Sequence, residues 1–342
     1  MVNAAVVASG AWRRGAALAA LLLLALPQLA GAQGAVARLA LPGRTMAFLS
    51  LYVSEAKGFF PEAGIDLRVT LESGAKTMQS LGSGSVEFAG GTVEAAIRAP
   101  EGGRRPIIVA AGTSRLPLEI VARREVAPQQ GMPQETPLAE RLRLLKGRTI
   151  GLLHSGDLAH QFLKSALSQA GLDPARDVKV LGIGKPGTLL ASLQRRLVDA
   201  IIAVPPMSIV PLLRGYGVRL ASGPLNDFPQ FDPFPYAVLL TMEQTTQARP
   251  ELVRRVVRAW VKGLRFIHEH PEEARQLLKA QFKRADEALI EATLRLMLPG
   301  VSKDGRVPLE GLERVQKLLL EGGVLKQPID LSRVATSRFL PE

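Results

Sequence analysis

The sequence predicts an α/β protein of two similar lobes, each a mostly parallel sheet flanked by helices. Three observations carry this. Short strand-like apolar runs alternate with helical patterns along most of the chain, the rhythm of βαβ units. A stretch beginning at Ser80 is echoed by one beginning at Ser192. Two further extended runs, Leu118 to Arg123 and Tyr236 to Thr241, give the chain two crossings between the halves and make the first lobe discontinuous.

The elements follow in order. Val36 to Leu41 alternates as a strand, and Pro42-Gly43-Arg44-Thr45 turns the chain into a helix holding Phe48, Leu51 and Tyr52. Gly58 stops that helix. Strands follow at Leu67 to Leu71, Val86 to Ala89 and Ile107 to Ala111, with a helix at Val93 to Ala99. After Leu118 to Arg123 comes the Pro/Gln-rich loop Ala127 to Pro137; His154-Ser155-Gly156-Asp157 then opens a helix running to Ala170. Ala200 to Val204 is a strand, and the proline-laden stretch Phe228 to Pro235 precedes the second extended run. In Pro250 to Glu269 the residues Leu252, Val253, Val256, Val257, Trp260, Val261 and Leu264 recur at helical spacing, and Pro271 to Phe282 continues the pattern. Trp260 lies on that stripe and reads as core.

The echo sets Ser80-Leu81-Gly82-Ser83-Gly84-Ser85-Val86-Glu87-Phe88-Ala89 against Ser192-Leu193-Gln194-Arg195-Arg196-Leu197-Val198-Asp199-Ala200-Ile201. Each is a helix end, a turn and a strand marked by an acid. The expected organisation is a leader at 1–32, a first segment of lobe one at 33–121, lobe two at 122–238, and the return of lobe one with C-terminal helices at 239–342.

With 47% apolar and 22% charged residues, the 342-residue chain has enough to bury one large core or two medium ones. There is no cysteine, which excludes disulfides, thiolate metal centres and cysteine nucleophiles. The net charge is +12, but basic pairs such as Arg123-Arg124, Arg195-Arg196 and Arg254-Arg255 are scattered among apolar residues. No nucleic-acid partner is expected, because a nucleic-acid footprint clusters on one face of a recognisable module.

Arg13-Arg14, the apolar run Ala16 to Leu26, Pro27 and the triplet Ala30-Gly31-Ala32 form a cleavable signal peptide. The run is short for a membrane span. The mature chain is therefore expected to be soluble in an exported compartment, most simply a periplasm.

Several phrases, taken in order, resemble a known family. Leu49-Ser50-Leu51-Tyr52-Val53 through Glu55-Ala56-Lys57-Gly58-Phe59-Phe60, then Gly64-Ile65-Asp66-Leu67, resembles the opening of the nitrate/sulfonate/taurine-type periplasmic substrate-binding proteins of ABC importers. Leu145-Lys146-Gly147-Arg148-Thr149-Ile150-Gly151, with Ser155-Gly156-Asp157 and Gly171-Leu172-Asp173, is similar to the start of that family's second lobe. Pro250-Glu251-Leu252-Val253 to His270-Pro271-Glu272-Glu273-Ala274 is similar to its C-terminal helices. The resemblance implies the type II periplasmic-binding-protein (Venus-flytrap) fold, two lobes joined by two crossover strands. It also implies a monomer that binds a small polar organic ligand or anion between the lobes, uses no cofactor, and delivers the ligand to an inner-membrane permease with a separate ATPase. The alternative is an enzyme on the same fold, of thiamine-pyrimidine-synthase or menaquinone-pathway type. The thiamine type relies on cysteines that this chain lacks.

In open α/β sheets ligands sit beyond the carboxyl ends of strands, where helix N-termini offer unpaired amides. By that geometry and the resemblance, Arg44, Thr45 and Met46, Gly74 and Ala75, and Gly91 and Thr92 line the cleft from lobe one. Ser155, Gly156, Asp157, Pro206 and Met207 line it from lobe two, and Phe48 and Tyr52 stand at one wall. Asp157 departs from the family pattern, in which a hydroxyl is usual; an aspartate there caps its own helix and repels anions. His154 and His160 flank it without further donors, so no metal is expected. Gly182 to Thr188 lacks phosphate-loop spacing.

Overall fold

The computed structural model describes residues 34–98, 105–128, 135–282 and 286–342. The expected signal peptide and part of the Pro/Gln-rich loop lie outside them. In lobe one, β1 (Ala35–Leu41) leads through a short 3-10 turn to α1 (Leu49–Ala56) and α2 (Phe59–Glu62). Then come β2 (Ile65–Leu71), α3 (Gly74–Ser83), β3 (Phe88–Thr92), α4 (Val93–Ile97) and β4 (Pro106–Ala111). Lobe two holds β5 (Glu119–Arg123), α5 (Leu138–Arg143), β6 (Arg148–Leu152), α6 (Leu158–Gln169), β7 (Val178–Gly182), α7 (Pro186–Gln194), β8 (Ala200–Ala203), α8 (Ile209–Leu213) and β9 (Gly217–Ser222). The chain returns through β10 (Ala237–Met242) to α9 (Glu243–Ala248), α10 (Pro250–Glu269), α11 (Pro271–Gln281), α12 (Glu287–Met297) and α13 (Leu309–Glu321).

The two sheets are topological twins, ordered β2-β1-β3-β10-β4 and β7-β6-β8-β5-β9. In each, one strand alone runs against the rest: β10 is antiparallel to β3 and β4, and β5 to β8 and β9. These are the strands that receive the chain from the other lobe. The inner strands β8 and β10 are buried along their whole length, as strands covered on both faces must be, while β2 alternates at its sheet's edge. The echo is structural: helix α3 with strand β3, and helix α7 with strand β8, hold the same place in the two sheets.

Because β5 belongs wholly to the second sheet and β10 wholly to the first, the chain changes lobes within 112–118 and 223–236. These crossings lie a few residues upstream of the boundaries expected at 121/122 and 238/239, which would cut each joining strand in two.

Helix α10 holds lobe one together. Ser54 Oγ donates to Ala259 O at 2.8 Å and Ser50 Oγ to Trp260 O at 3.0 Å. Trp260 is fully buried, as its place on the apolar stripe predicts, and its indole N–H donates to Ala111 O at 3.2 Å. The C-terminal part departs from the expected assignment to lobe one. Helix α13 packs on α6 of lobe two as well as on α4, and α12 touches α8, so the return segment touches both lobes. The apolar face of α13, with Leu312, Val315, Leu318 and Leu319, supplies the reason: it completes a core to which both lobes contribute.

Candidate ligand-binding cleft

Every parallel strand of a βαβ sheet ends at the same edge, so strand order decides which turns become neighbours. In lobe one the turns after β1, β2 and β3 are adjacent; in lobe two those after β6, β7 and β8 are. Close approaches bear this out. A Cβ built on Gly74 would lie 3.9 Å from Pro42, and one on Gly182 2.8 Å from Ser155 Oγ.

In lobe one, Thr45 caps the 3-10 turn by accepting from Ala47 N, and its carbonyl accepts from the Tyr52 hydroxyl at 3.0 Å. Burial pushes the Tyr52 phenol up to about 12. Tyr52 and Phe48 are both buried, and Tyr52 packs edge-on against Phe282. Arg44 is engaged: its guanidinium lies over the Tyr52 ring and donates to Gln281 Oε1 at 2.5 Å. Gly74 and Ala75 form the exposed first turn of α3. Gly91 and Thr92 are the last residues of β3, which runs further than the strand expected to end at Ala89. Leu240 packs against Gly91 so closely that a Cβ there would lie 2.7 Å from it. Thr92 is the N-cap of α4 in extended geometry, and its side chain makes no cap bond.

In lobe two, Ser155 is exposed, and Gly156 adopts a left-handed φ of +88° that a side chain would strain. Gly156 N donates to His160 Nδ1 at 2.9 Å, and Asp157 Oδ1 accepts from His160 N at 2.9 Å. That acceptor role puts the proton of the neutral imidazole on Nε2. Burial, with the nearby Lys164 charge, holds His160 below its ordinary value. Pro206 is half-buried and its carbonyl accepts from Ile209 N, opening α8.

Met46 and Met207 depart from the expected lining. Both residues are buried, Met46 in the core of lobe one and Met207 in the small core of lobe two that also holds Leu189 and Leu193. A flexible apolar side chain at the edge of a sheet gains more by filling the adjoining core than by facing a polar cleft.

The residue that sequence reasoning missed is Glu94. It sits in the first turn of α4 with 7% exposure. Its Oε2 accepts from Leu158 N, the first residue of α6, at 2.9 Å across the two lobes, and its Oε1 accepts from Arg98 at 2.7 Å. The signal was an acid inside the apolar run Val93 to Ile97, which on its own reads as ordinary first-turn stabilisation. Asp157 lies within reach: burial, and to a lesser degree the Glu94 charge, raise its carboxyl against the pull of the α6 amides. Burial, then the charges of Asp157 and Glu94, drive the Tyr236 phenol well above its ordinary value. Tyr236 ends the second crossing and its carbonyl accepts from Val93 N at 3.0 Å. The seam between the lobes thus gathers two carboxylates and a phenol at the facing starts of α4 and α6. Among the described residues no group of three or more His, Asp or Glu side chains is placed to hold a metal ion.

Two twin-topology sheets, joined by two crossings with their carboxyl edges facing one seam, define a two-lobed Venus-flytrap fold. The chain belongs to the NMT1/THI5-like family, whose model matches residues 45–274. It is 26% identical over 310 residues to the riboflavin-binding protein RibY of Chloroflexus aurantiacus, covering 86% of this chain and 82% of that protein. Its fold is that of the alkanesulfonate-binding protein SsuA from Xanthomonas axonopodis pv. citri bound to MOPS (TM-score 0.67, 17% identity, 89% of this chain and 99% of that one). It is equally that of the periplasmic nitrate-binding protein NrtA from Synechocystis PCC 6803 (TM-score 0.67, 14% identity, 90% and 87%).

Proposed function

We propose that this chain is the non-catalytic, ligand-capturing component of an ABC importer. It works in the periplasm after loss of a leader, closes its lobes on a small polar organic molecule, and hands that molecule to a membrane permease driven by a separate ATPase. The observation that carries the reading is the seam itself, where functional turns from twin sheets converge across two crossings suited to hinge closure. Thr45, Thr92, Ser155 and the first turn of α3 are the groups we assign to ligand contact.

The ligand class follows from the chemistry of the seam. Glu94 and Asp157 are acceptors from opposite lobes, so the cleft favours a molecule that presents N–H or O–H donors. RibY, a relative named for riboflavin binding, supports a neutral heterocycle of that kind over the sulfonate and nitrate of the structural neighbours.

A thermal-shift panel of riboflavin, pyrimidines, amino acids, aromatic carboxylates, sulfonates and nitrate tests this. A binder with Kd near 1 μM, supplied at 100 μM, adds about 2.7 kcal/mol and raises Tm by several degrees. A selective shift from a donor-bearing compound supports the reading, and its loss in Thr92→Ala ties the ligand to the cleft. A panel in which only oxyanions stabilise the protein contradicts it.

A further inference from the structure

We infer that Glu94 sets the charge selectivity of the cleft: its carboxylate stands on the first amide of α6 where an oxyanion would bind, and so closes that helix terminus to anionic ligands. The inference rests on the reading of the seam as the ligand cleft and names the class of ligand that cleft refuses.

A helix N-terminus with free amides is a ready oxyanion site, because its orphan N–H groups and dipole both favour negative charge. Three amides at and just before the head of α6 already have acceptors. Gly156 N goes to His160 Nδ1, Leu158 N to Glu94 Oε2, and His160 N to Asp157 Oδ1. Two of the three acceptors are carboxylates, one from each lobe.

The position of Glu94 makes it more than a local cap. It belongs to α4 and reaches α6 across the seam, so the bond exists only while the lobes are together. Its second oxygen is held by Arg98 one turn along α4, which fixes the carboxylate with Oε2 aimed at α6. Arg98 is half-exposed and spends its charge on Glu94, while Asp157 has no ion-pair partner among the described residues. An incoming sulfonate or nitrate would therefore have to displace a hydrogen-bonded carboxylate and then lie beside a second one. A donor-bearing molecule meets instead two carboxylates whose charge favours its N–H and O–H groups.

The test is isothermal titration of the purified protein with sodium methanesulfonate and with sodium sulfate, at low ionic strength, for the wild type and three variants. Glu94→Ala frees the Leu158 amide, Glu94→Gln keeps an acceptor oxygen without the charge, and Glu94→Ala/Asp157→Ser also removes the second carboxylate while leaving a neutral N-cap. The wild type is expected to give no saturable heat. Anion affinity is expected to rise from Glu94→Gln through Glu94→Ala to the double variant, by roughly tenfold or more between the first and the last of these.

Saturable binding of either anion by the wild type overturns the inference, as does a double variant that melts cooperatively yet binds neither. Should the double variant not fold, the two single variants decide by the same rule. The readout uses inorganic and simple organic anions, so it stands whether or not the natural ligand is found. Failure of the importer reading would instead appear as an empty panel of organic ligands.

Discussion

Glu87 and Asp199 do the same work in the two sheets. Each stands just before the central strand of its sheet, β3 or β8, and accepts from a backbone amide of the neighbouring parallel strand, Glu87 from Arg38 N of β1 and Asp199 from Thr149 N of β6, both at 2.9 Å. Each is also ion-paired, Glu87 with Arg38 at 2.8 Å and Asp199 with Arg123 at 2.7 Å. The acids that marked the sequence echo are thus pins that register one strand on its neighbour. Replacing either by Ala removes charged hydrogen bonds to a strand amide, partly buried at Asp199 and exposed at Glu87, and is expected to cost roughly 1.5–3 kcal/mol at Asp199 and less at Glu87. Urea denaturation of Asp199→Ala and Glu87→Ala checks this; a change within error for both would show that the pins are ornamental.

The same pair makes stability depend on acid. Burial opposes ionisation at both sites, yet hydrogen bonds and ion pairs from Arg38 at Glu87, and from Thr149 N and Arg123 at Asp199, outweigh it and hold both carboxyls below their ordinary values. A depressed folded pKa gives stability that is complete above the ordinary values of 4.5 and 3.8 and is lost as pH falls through the folded ones. Tm is therefore expected to drop steeply below about pH 4.5, and less steeply in Asp199→Asn. Differential scanning calorimetry from pH 3 to 7 gives the comparison.

Among the places where the two crossings touch, one is a glycine. Gly223 N donates to Leu118 O at 2.9 Å, and a Cβ on Gly223 would collide with the carbonyl of Leu116. Backbone on both sides leaves little room to relax, so Gly223→Ala is expected to destabilise by roughly 1–3 kcal/mol. Gly187→Ala is the control. It faces open space inside α7 and is expected to be neutral or slightly stabilising, by up to about 1 kcal/mol. Thermal melts should show Gly223→Ala well below wild type and Gly187→Ala at or slightly above it.

Trp260 reports on the same region from the other side. Its ring lies 3.2 Å from the Cβ position of Gly112, where the first crossing begins. Trp260→Ala is expected to cost roughly 3–5 kcal/mol, and Trp260→Phe less, since the ring volume is largely kept and only the bond to Ala111 O is lost. The wild-type indole, fully buried, should emit at short wavelength and shift red on unfolding.

What the sequence carried was what is periodic. The stripe from Leu252 to Leu264 gave α10 with its ends, because twenty residues of helical spacing leave one solution. Alternating strands and helices gave the twin sheets, and Asp157 was legible as the cap of α6 because capping is local. The seam was not legible. Glu94 and Leu158 are far apart in the chain, and no local pattern says that a first-turn acid will reach another helix. Helix α13 announced an apolar face, but not that α6 of the other lobe would cover it. The turns that hold Met46 and Met207 point to the cleft, but both side chains are buried in the nearest core.

The central claim is that the cleft takes a donor-bearing organic molecule and refuses oxyanions. Calorimetric titration of the purified protein with riboflavin, in parallel with methanesulfonate and nitrate, tests it most directly. The account predicts one riboflavin bound per chain with micromolar or tighter affinity, and no saturable heat from either anion. Saturable binding of methanesulfonate or nitrate would contradict it.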